Sequence, residues 1–324
     1  MSKAMLAAAP GGPEVLVWTD VAVAAPGPGE ALVRQTAVGV NFIDTYFRSG
    51  LYAWPDSQII VGAEAAGVVE ALGSGVSHLK VGDRVGYTTP LGAYCQARTL
   101  AADRLVRLPD GIADDVAATI MLKGLTVQYL VTSTFRVEPG MTVLVHAAAG
   151  GVGLLMGQWL NAIGAKAIGT AGSPEKVALA KAHGYQEVID YRTEDFVARV
   201  TEITGGKGCD VVYDSVGRDT WAGSLKCLRR RGMFVSFGQS SGPIEGFALP
   251  LLAQGGSLSA CRPMLFHYIE ERAELEARAA DLFGRITSGQ IRAEVHQRFT
   301  LSDAAAAHRA LESRGTIGAT VLTV

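Results

Sequence analysis

The chain has 324 residues, 48% hydrophobic and 19% charged, with a formal net charge of −2. That length suits about two domains, and the composition supports large cores and excludes a disordered chain. The near-neutral balance gives no general pull toward nucleic acid or an anionic membrane.

The N-terminal stretch MSKAMLAAAPGGPEV lacks the apolar core of a secretion signal. The longest apolar run, 147–157, is too short to cross a bilayer. A soluble cytoplasmic protein without a membrane partner is expected. Up to about residue 120 the chain is rich in Val, Gly and Pro, with short alternating runs at 31–37, 67–72 and 83–87. Turn signals separate them: PGPGE at 26–30, GSG at 73–75 and VGD at 81–83. This pattern predicts a β-rich, barrel-like domain. Residues 113–131 then read as one helix, opening at Asp114 and Asp115, whose charges suit a helix N-terminus.

From Met141 the rhythm changes to strand–helix alternation. TVLVHA leads into GVGLLMGQWLNAIG, and AKAIGT into PEKVALAKAHG, with Ser173 as N-cap and Pro174 at the first helical position. EVID, EDFVARVTEITG, DVVYDS, DTWAGSLKCLRR and MFVSFG continue the series to about residue 262, with GSLSA as an edge strand. Such alternation marks an α/β, doubly wound parallel sheet. Arg229–Arg231 is expected at a solvated helix end rather than along a phosphate track. A helix over 268–288, a strand near 296–299, a helix over 304–313 and a strand over 319–324 should return to the first domain. The four cysteines, Cys95, Cys209, Cys227 and Cys261, are scattered with no C-x-x-C pair. They signal neither a zinc knuckle nor a redox dithiol and read as reduced thiols.

The stretch HAAAGGVG at 146–153 follows a strand and opens a helix. Ala148, Gly150 and Gly153 occupy the small-residue positions of a dinucleotide fingerprint: a tight turn, backbone approach to a pyrophosphate, and close helix–strand packing. An NAD site places an acid about 20 residues further on for the ribose 2′-hydroxyl. Here Gly169–Ser173 holds none, while Lys176, Tyr191 and Arg192 lie nearby. Missing negative charge beside positive charge favours NADP.

With these elements in place, the chain resembles the medium-chain dehydrogenase/reductase superfamily. More narrowly it resembles its zinc-independent quinone oxidoreductases, the zeta-crystallin-like branch, and bacterial NADPH:quinone reductases in particular. The blocks that carry this are NFIDTYFRSGLY (41–52), GAEAAGVV (62–69), VGDRV (81–85), LKGLTV (122–127), HAAAGGVG, VVYDSVGRDTW (211–221) and RRGMFVSFGQSSG (230–242). The resemblance implies a Rossmann NADPH-binding domain over 126–262. It implies a GroES-like, alcohol-dehydrogenase-like catalytic domain over 1–125 and 263–324. The catalytic zinc ligands of metal-dependent relatives fall at Asn41, Ala63 and Lys123, residue types that cannot build a thiolate–imidazole site, so no metal is expected.

The resemblance also implies site residues. The family binds the nicotinamide and its ribose between the domains, which implicates Asn41, Tyr46, Lys123 and Thr126. The diphosphate is expected on Ala149, Gly150, Gly151 and Val152, and the 2′-phosphate against Gly172, Lys176, Tyr191 and Arg314. Phe237, Gln239, Ser240 and Arg262 are expected on the nicotinamide side, Gln239 standing where close relatives often carry Asn. Asn41, Tyr46 and Tyr52 are the candidate catalytic groups, the two tyrosines orienting and capping a quinone rather than serving as an essential acid. Residue by residue, His146 reads as structural, Asp44 as organising its loop, Glu64 as a structural hydrogen-bonding group, and Arg48 as steering an anion or solvated.

The expected activity is NADPH-dependent, zinc-independent reduction of ortho- or para-quinones, by hydride or single-electron transfer. Two alternatives stand beside it: NADPH-dependent reduction of α,β-unsaturated carbonyls, and a non-catalytic NADPH-binding or RNA-binding crystallin-like role. The absence of a basic stripe weighs against RNA. A homodimer paired through the edge near 256–260 is expected from the family, and would hide an exposed strand edge.

Overall fold

The structure, a computed structural model, describes residues 2–324. Two compact units emerge: one from residues up to Leu125 with Tyr268–Ser288 and Ala293–Val324, the other from Thr126–His267 with Gly289–Arg292.

The first unit is built mostly of antiparallel strands. Its larger sheet runs in the order Val295–Thr300, Ala319–Thr323, Glu30–Val40, Glu64–Leu72, Arg84–Thr88 and Val106–Arg107, with Ala97–Ala101 also pairing to Glu30–Val40. A three-stranded sheet orders Val17–Val21, Ser2–Ala7 and Ile59–Ile60. The tail thus returns to the first unit: Thr320–Thr323 pairs antiparallel with Val40–Ala37. Between these layers lies a core that includes Met5, Val33, Val38, Val69, Tyr87 and Tyr94.

The second unit holds a six-stranded, all-parallel sheet in the order Glu187–Asp190, Lys166–Ala171, Thr142–Val145, Cys209–Asp214, Leu228–Ser236 and Ser259–Cys261. Numbered within the unit this is 3-2-1-4-5-6, the doubly wound order whose direction reverses between the first and fourth strands. Ligands of such sheets sit at the carboxyl ends of the strands beside that reversal. Leu144, Ile168, Ile189, Val212 and Phe234 pack its core with helix residues such as Val200 and Leu225.

Three local readings differ from the structure. The helix expected over 113–131 is two helices, Asp114–Ala117 and Met121–Tyr129, followed by a π-helical turn over Leu130–Thr134. The break at 118–120 is tertiary in origin. Gly39 packs so closely on the Ala118 carbonyl that a Cβ there would lie 2.1 Å from its oxygen. The helix expected over 219–230 is only Trp221–Lys226, and Arg229–Arg231 begins the next strand instead of ending a helix. There Arg229 Nε pairs with Asp210 at 2.6 Å, and Arg231 takes φ 59° at the irregular start of the ladder. The helix expected over 268–288 is a short turn, Leu265–Tyr268, and a longer helix, Arg272–Thr287.

Candidate functional site

In the second unit the glycine turn lies at the end of the central strand Thr142–Val145. Ala147 takes a left-handed φ of 54°, and the Ala148 N–H donates to the Thr170 carbonyl at 2.9 Å. Gly150 is the N-cap of the helix Gly151–Ile163. That end supplies free backbone N–H groups and the positive end of the helix dipole, a ready anion site. Gly153 is required by contact rather than by φ: a Cβ there would lie 2.4 Å from the Ala147 oxygen and 2.6 Å from the Ala148 oxygen. Gly150 has more room, with the Ala147 oxygen 3.3 Å from a built Cβ. Ala148 is small for its own reason, since its Cβ faces Gly169. Tyr185, 32 residues downstream, locks the helix by donating its hydroxyl to the Gly153 carbonyl at 2.8 Å.

The neighbouring strand Lys166–Ala171 ends at Gly172, where a Cβ would fall 2.3 Å from the Tyr191 Oη. The phenol of Tyr191 therefore lies directly over that glycine, and its backbone N–H donates to the Ala171 carbonyl at 3.1 Å. Ser173 caps the following helix by accepting from the Lys176 N–H at 3.3 Å, which sets Lys176 in the first turn. Gly172, Lys176 and Tyr191 are thus brought together at one sheet corner. Arg314 belongs to the other unit, just past the helix Ala304–Glu312, with φ 58°.

A buried polar chain runs behind this edge. His146 lies between Thr170 Oγ1 at 3.0 Å and Ser224 Oγ at 2.9 Å, and Ser224 Oγ donates to Asp214 Oδ2 at 3.0 Å. A neutral imidazole satisfies every partner: Thr170 donates to Nδ1, and Nε2–H donates to Ser224. Burial lowers the His146 pKa and favours that neutral form. Its reading as a structural residue holds. Asp214 Oδ1 in turn accepts the N–H groups of Val216 at 2.8 Å and Gly217 at 2.9 Å, fixing the loop after its strand.

That loop is stitched to the segment carrying three further candidates. Phe237 N–H donates to the Asp214 carbonyl at 2.8 Å, and Ser240 N–H to the Ser215 carbonyl at 3.1 Å. Arg262 Nη1 donates to the carbonyls of Ser236 at 2.9 Å and Gly238 at 3.1 Å. Phe237, Gln239, Ser240 and Arg262 therefore share one end of the sheet, and Gln239 closes a turn by accepting from the Gly242 N–H at 2.9 Å. Thr126 lies in this unit too, buried on the helix Met121–Tyr129.

In the first unit two of the candidates, Asn41 and Lys123, meet buried carboxylates. Glu64, fully buried, receives three donors: Lys123 Nζ at 2.5 Å, Asn41 Nδ2 at 2.9 Å and the Leu122 N–H at 2.7 Å. The positions that the resemblance sets against metal ligands thus hold an amide and an ammonium tied to a carboxylate, beside Ala63. Neither an amide nor an ammonium supplies the thiolate or imidazole donors that zinc prefers. Asp44 sits at the third position of the helix Phe42–Arg48, where its Oδ2 accepts the Asn41 N–H at 2.7 Å and the Tyr94 hydroxyl at 3.0 Å. Burial raises the Asp44 pKa to about 7. Its role is the loop-organising one read from the sequence.

Arg48 corrects the sequence reading, since it is neither solvated nor available to steer an anion. It is buried, pairs through both Nη atoms with Glu312 at 2.9 and 2.6 Å, and donates to His308 Nδ1 at 3.1 Å. His308 Nε2 faces Tyr94 Oη at 3.0 Å, so a buried chain links Glu312 through Arg48, His308 and Tyr94 to Asp44. Contacts 50 to 264 residues apart build it, and no local signal announces it. Tyr46 and Tyr52 are brought together as an edge-on pair, ring centroids 5.3 Å apart, and Phe47 backs Tyr52 at 5.4 Å.

Among the described residues no cluster of three or more His, Cys, Asp or Glu side chains could hold a metal, and no helix is long and apolar enough to cross a membrane. Residues 27–139 match the alcohol dehydrogenase GroES-like domain, and residues 151–277 match the zinc-binding dehydrogenase domain. A quinone oxidoreductase of Pseudomonas aeruginosa is 54% identical over 323 residues, 99% of each chain. A 2-haloacrylate reductase of Burkholderia sp. is 46% identical over 319 residues, 96% of each. The crystal structure of Escherichia coli quinone oxidoreductase complexed with NADPH superposes with a TM-score of 0.98 at 49% identity, covering 99% of this chain and 100% of that one. With both domain matches and identity of this extent along the full length, the chain belongs to the quinone oxidoreductases of the medium-chain dehydrogenase/reductase superfamily.

Proposed function

We propose that this protein reduces quinones with NADPH and uses no catalytic metal. The carrying observation is the corner of the parallel sheet. A glycine turn opens a helix there, the second strand ends at Gly172 without an acid, and Tyr191 and Lys176 stand where a 2′-phosphate would meet them. The cradle fits a dinucleotide, because side chains are excluded where backbone must approach phosphate. NADPH, when bound, supplies the hydride. Ala149, Gly150, Gly151 and Val152 would hold its diphosphate, and Gly172, Lys176, Tyr191 and Arg314 its 2′-phosphate. Asn41, Tyr46, Lys123, Thr126, Phe237, Gln239, Ser240 and Arg262 would surround the nicotinamide end.

The work of the chain is then positioning, exclusion of water and charge stabilisation. A quinone carbonyl is already a good acceptor and needs no Lewis acid. Asn41 and the phenols of Tyr46 and Tyr52 are donors for the oxygen as it gains charge, and the edge-on rings of Tyr46 and Tyr52 offer aromatic surface to the quinone. The likeness to a 2-haloacrylate reductase supports a second reading, reduction of an activated carbon–carbon double bond at the same site. We further propose a homodimer joined at the edge strand Ser259–Cys261, which pairs on one side with Leu228–Ser236. A cytoplasmic location is supported by four free cysteines.

The test follows loss of the reduced-nicotinamide absorbance with 1,4-benzoquinone, comparing NADPH with NADH, with and without a strong chelator. Rapid oxidation that prefers NADPH and resists the chelator is expected. Tight NADPH binding without quinone turnover, but with turnover of a haloacrylate or enone, would move the assignment to the second reading. A single monomeric mass in light scattering at micromolar concentration would remove the dimer.

A further inference from the structure

We propose that Glu64 is a positioning residue for the nicotinamide end of the cofactor, acting through Lys123 and Asn41. This rests on the assignment of those two residues to that end. Three donors from two separate segments converge on the one carboxylate. Lys123 Nζ and Asn41 Nδ2 both reach Oε1, at 2.5 and 2.9 Å, while Oε2 takes the Leu122 N–H at 2.7 Å. Oε2 therefore pins the start of the helix Met121–Tyr129, and Oε1 pins the side chain one residue further along it. Glu64 is fully buried and Lys123 only 5% exposed, so water does not compete for either group.

The slot is made for this carboxylate. Gly39, paired opposite Glu64 across the sheet, leaves the space it fills, since a Cβ at 39 would lie 2.4 Å from Glu64 Oε1. An ammonium carries three N–H donors and an amide nitrogen two. One of each is spent on Glu64, which fixes the directions in which the remaining N–H groups point. Asn41 is held from a second side, because its backbone N–H donates to Asp44. Glu64 thus sets the geometry of two donors that a flexible lysine and a loop asparagine could not hold alone.

The test is a double-mutant cycle on NADPH affinity, read by reduced-nicotinamide fluorescence on the full chain, with thermal unfolding measured alongside. Glu64→Gln should raise the NADPH Kd about tenfold or more at temperatures well below its Tm. In a Lys123→Met background, Glu64→Gln should add clearly less than its full effect, about threefold or less, because only the route through Asn41 remains. That double variant should regain Tm over Glu64→Gln, since no buried charge is left alone. Should Glu64→Gln fail to fold, Glu64→Asp keeps the charge but withdraws it by one methylene, and its Kd should still rise severalfold. Unchanged Kd in Glu64→Gln and Glu64→Asp with a lowered Tm would reduce Glu64 to a packing role and overturn the proposal. Effects that multiply in the double variant would also overturn it. A wild type that binds NADPH but turns over neither quinone nor enone refutes the functional reading alone, and the affinity cycle then still decides the role of Glu64.

Discussion

Replacing Asp44 by Asn should change how stability depends on pH. Asp44 is fully buried, and both its hydrogen bonds fall on Oδ2. Burial raises its pKa from 3.8 to about 7. The folded chain therefore holds this proton more tightly than the unfolded chain. The stability it contributes is complete below pH 3.8 and is lost as pH rises through about 7. The rise corresponds to about 4 kcal/mol across that window. His308, at the other end of the same chain of hydrogen bonds, does the opposite. Burial and then the Arg48 guanidinium push it from 6.5 down to about 3, so its stability is present above 6.5 and lost as pH falls through 3. The two slopes oppose between pH 4 and 6.5, and the wild type should show little net dependence from this pair. Asp44→Asn removes only the falling slope, so it should gain on the wild type as pH rises from 4.5 to 7.5, by about 3 kcal/mol. Urea unfolding at four pH values across that window measures the difference. A gap between variant and wild type that stays constant with pH would refute the reasoning, and His308→Gln should tilt the gap the other way.

Three further outcomes follow from the site. Gly153→Ala should cost about 1–3 kcal/mol and weaken NADPH binding, because its methyl meets two backbone oxygens. Gly150→Ala, with more room, should weaken binding with less loss of Tm, and equal Tm losses in calorimetry would contradict the contact argument. Lys176→Ala should raise the NADPH Kd about tenfold while leaving NADH within about twofold, as expected for one charge-assisted contact to a 2′-phosphate. Parallel fluorescence titrations decide it, and equal losses for both cofactors would remove Lys176 from phosphate recognition. The double variant Tyr46→Phe, Tyr52→Phe should keep turnover within about tenfold, below the usual worth of a general acid. Abolished turnover at unchanged NADPH affinity would instead make a phenol essential.

The parts of the site legible in the sequence are those whose signal is local. The turn at 146–153, the cap at Ser173 and the acid-free end of the second strand each depend on residues within one turn of each other. The doubly wound parallel sheet is legible in the regular alternation of strand and helix, whereas its order, 3-2-1-4-5-6, is a property of the tertiary structure that alternation leaves open. The illegible parts depend on distant partners. Glu64 meets Asn41 and Lys123 across 23 and 59 residues, and Arg48 meets Glu312 across 264. A buried arginine looks the same in one dimension as a solvated one, so the sequence alone does not place Arg48 in the core. The break at 118–120 is a similar case. Helix propensity favours continuity through an alanine-rich run, and close packing of Gly39 on the Ala118 carbonyl overrides it.

The two units fix their candidate groups by different physics, and perturbations should show it. In the second unit the constraint is steric: Gly153, Gly172 and Ala148 matter for the atoms they lack, Gly153 against backbone oxygens and Gly172 against the Tyr191 phenol. Substitutions there should act at every pH, since no charge is involved. In the first unit the constraint is electrostatic and belongs to side chains: Glu64 and Asp44 matter for the donors they gather. Removing one partner of the buried Lys123–Glu64 pair strands a charge and costs about 3–5 kcal/mol, while removing both does not. Compensation by a second substitution is therefore open to the buried charges and closed at Gly153, where no side-chain change elsewhere makes room for a methyl against two carbonyl oxygens. Gly153 should thus be irreplaceable, and the buried charges of Glu64 and Lys123 should be replaceable as a pair for folding, though the pair replacement should weaken NADPH binding.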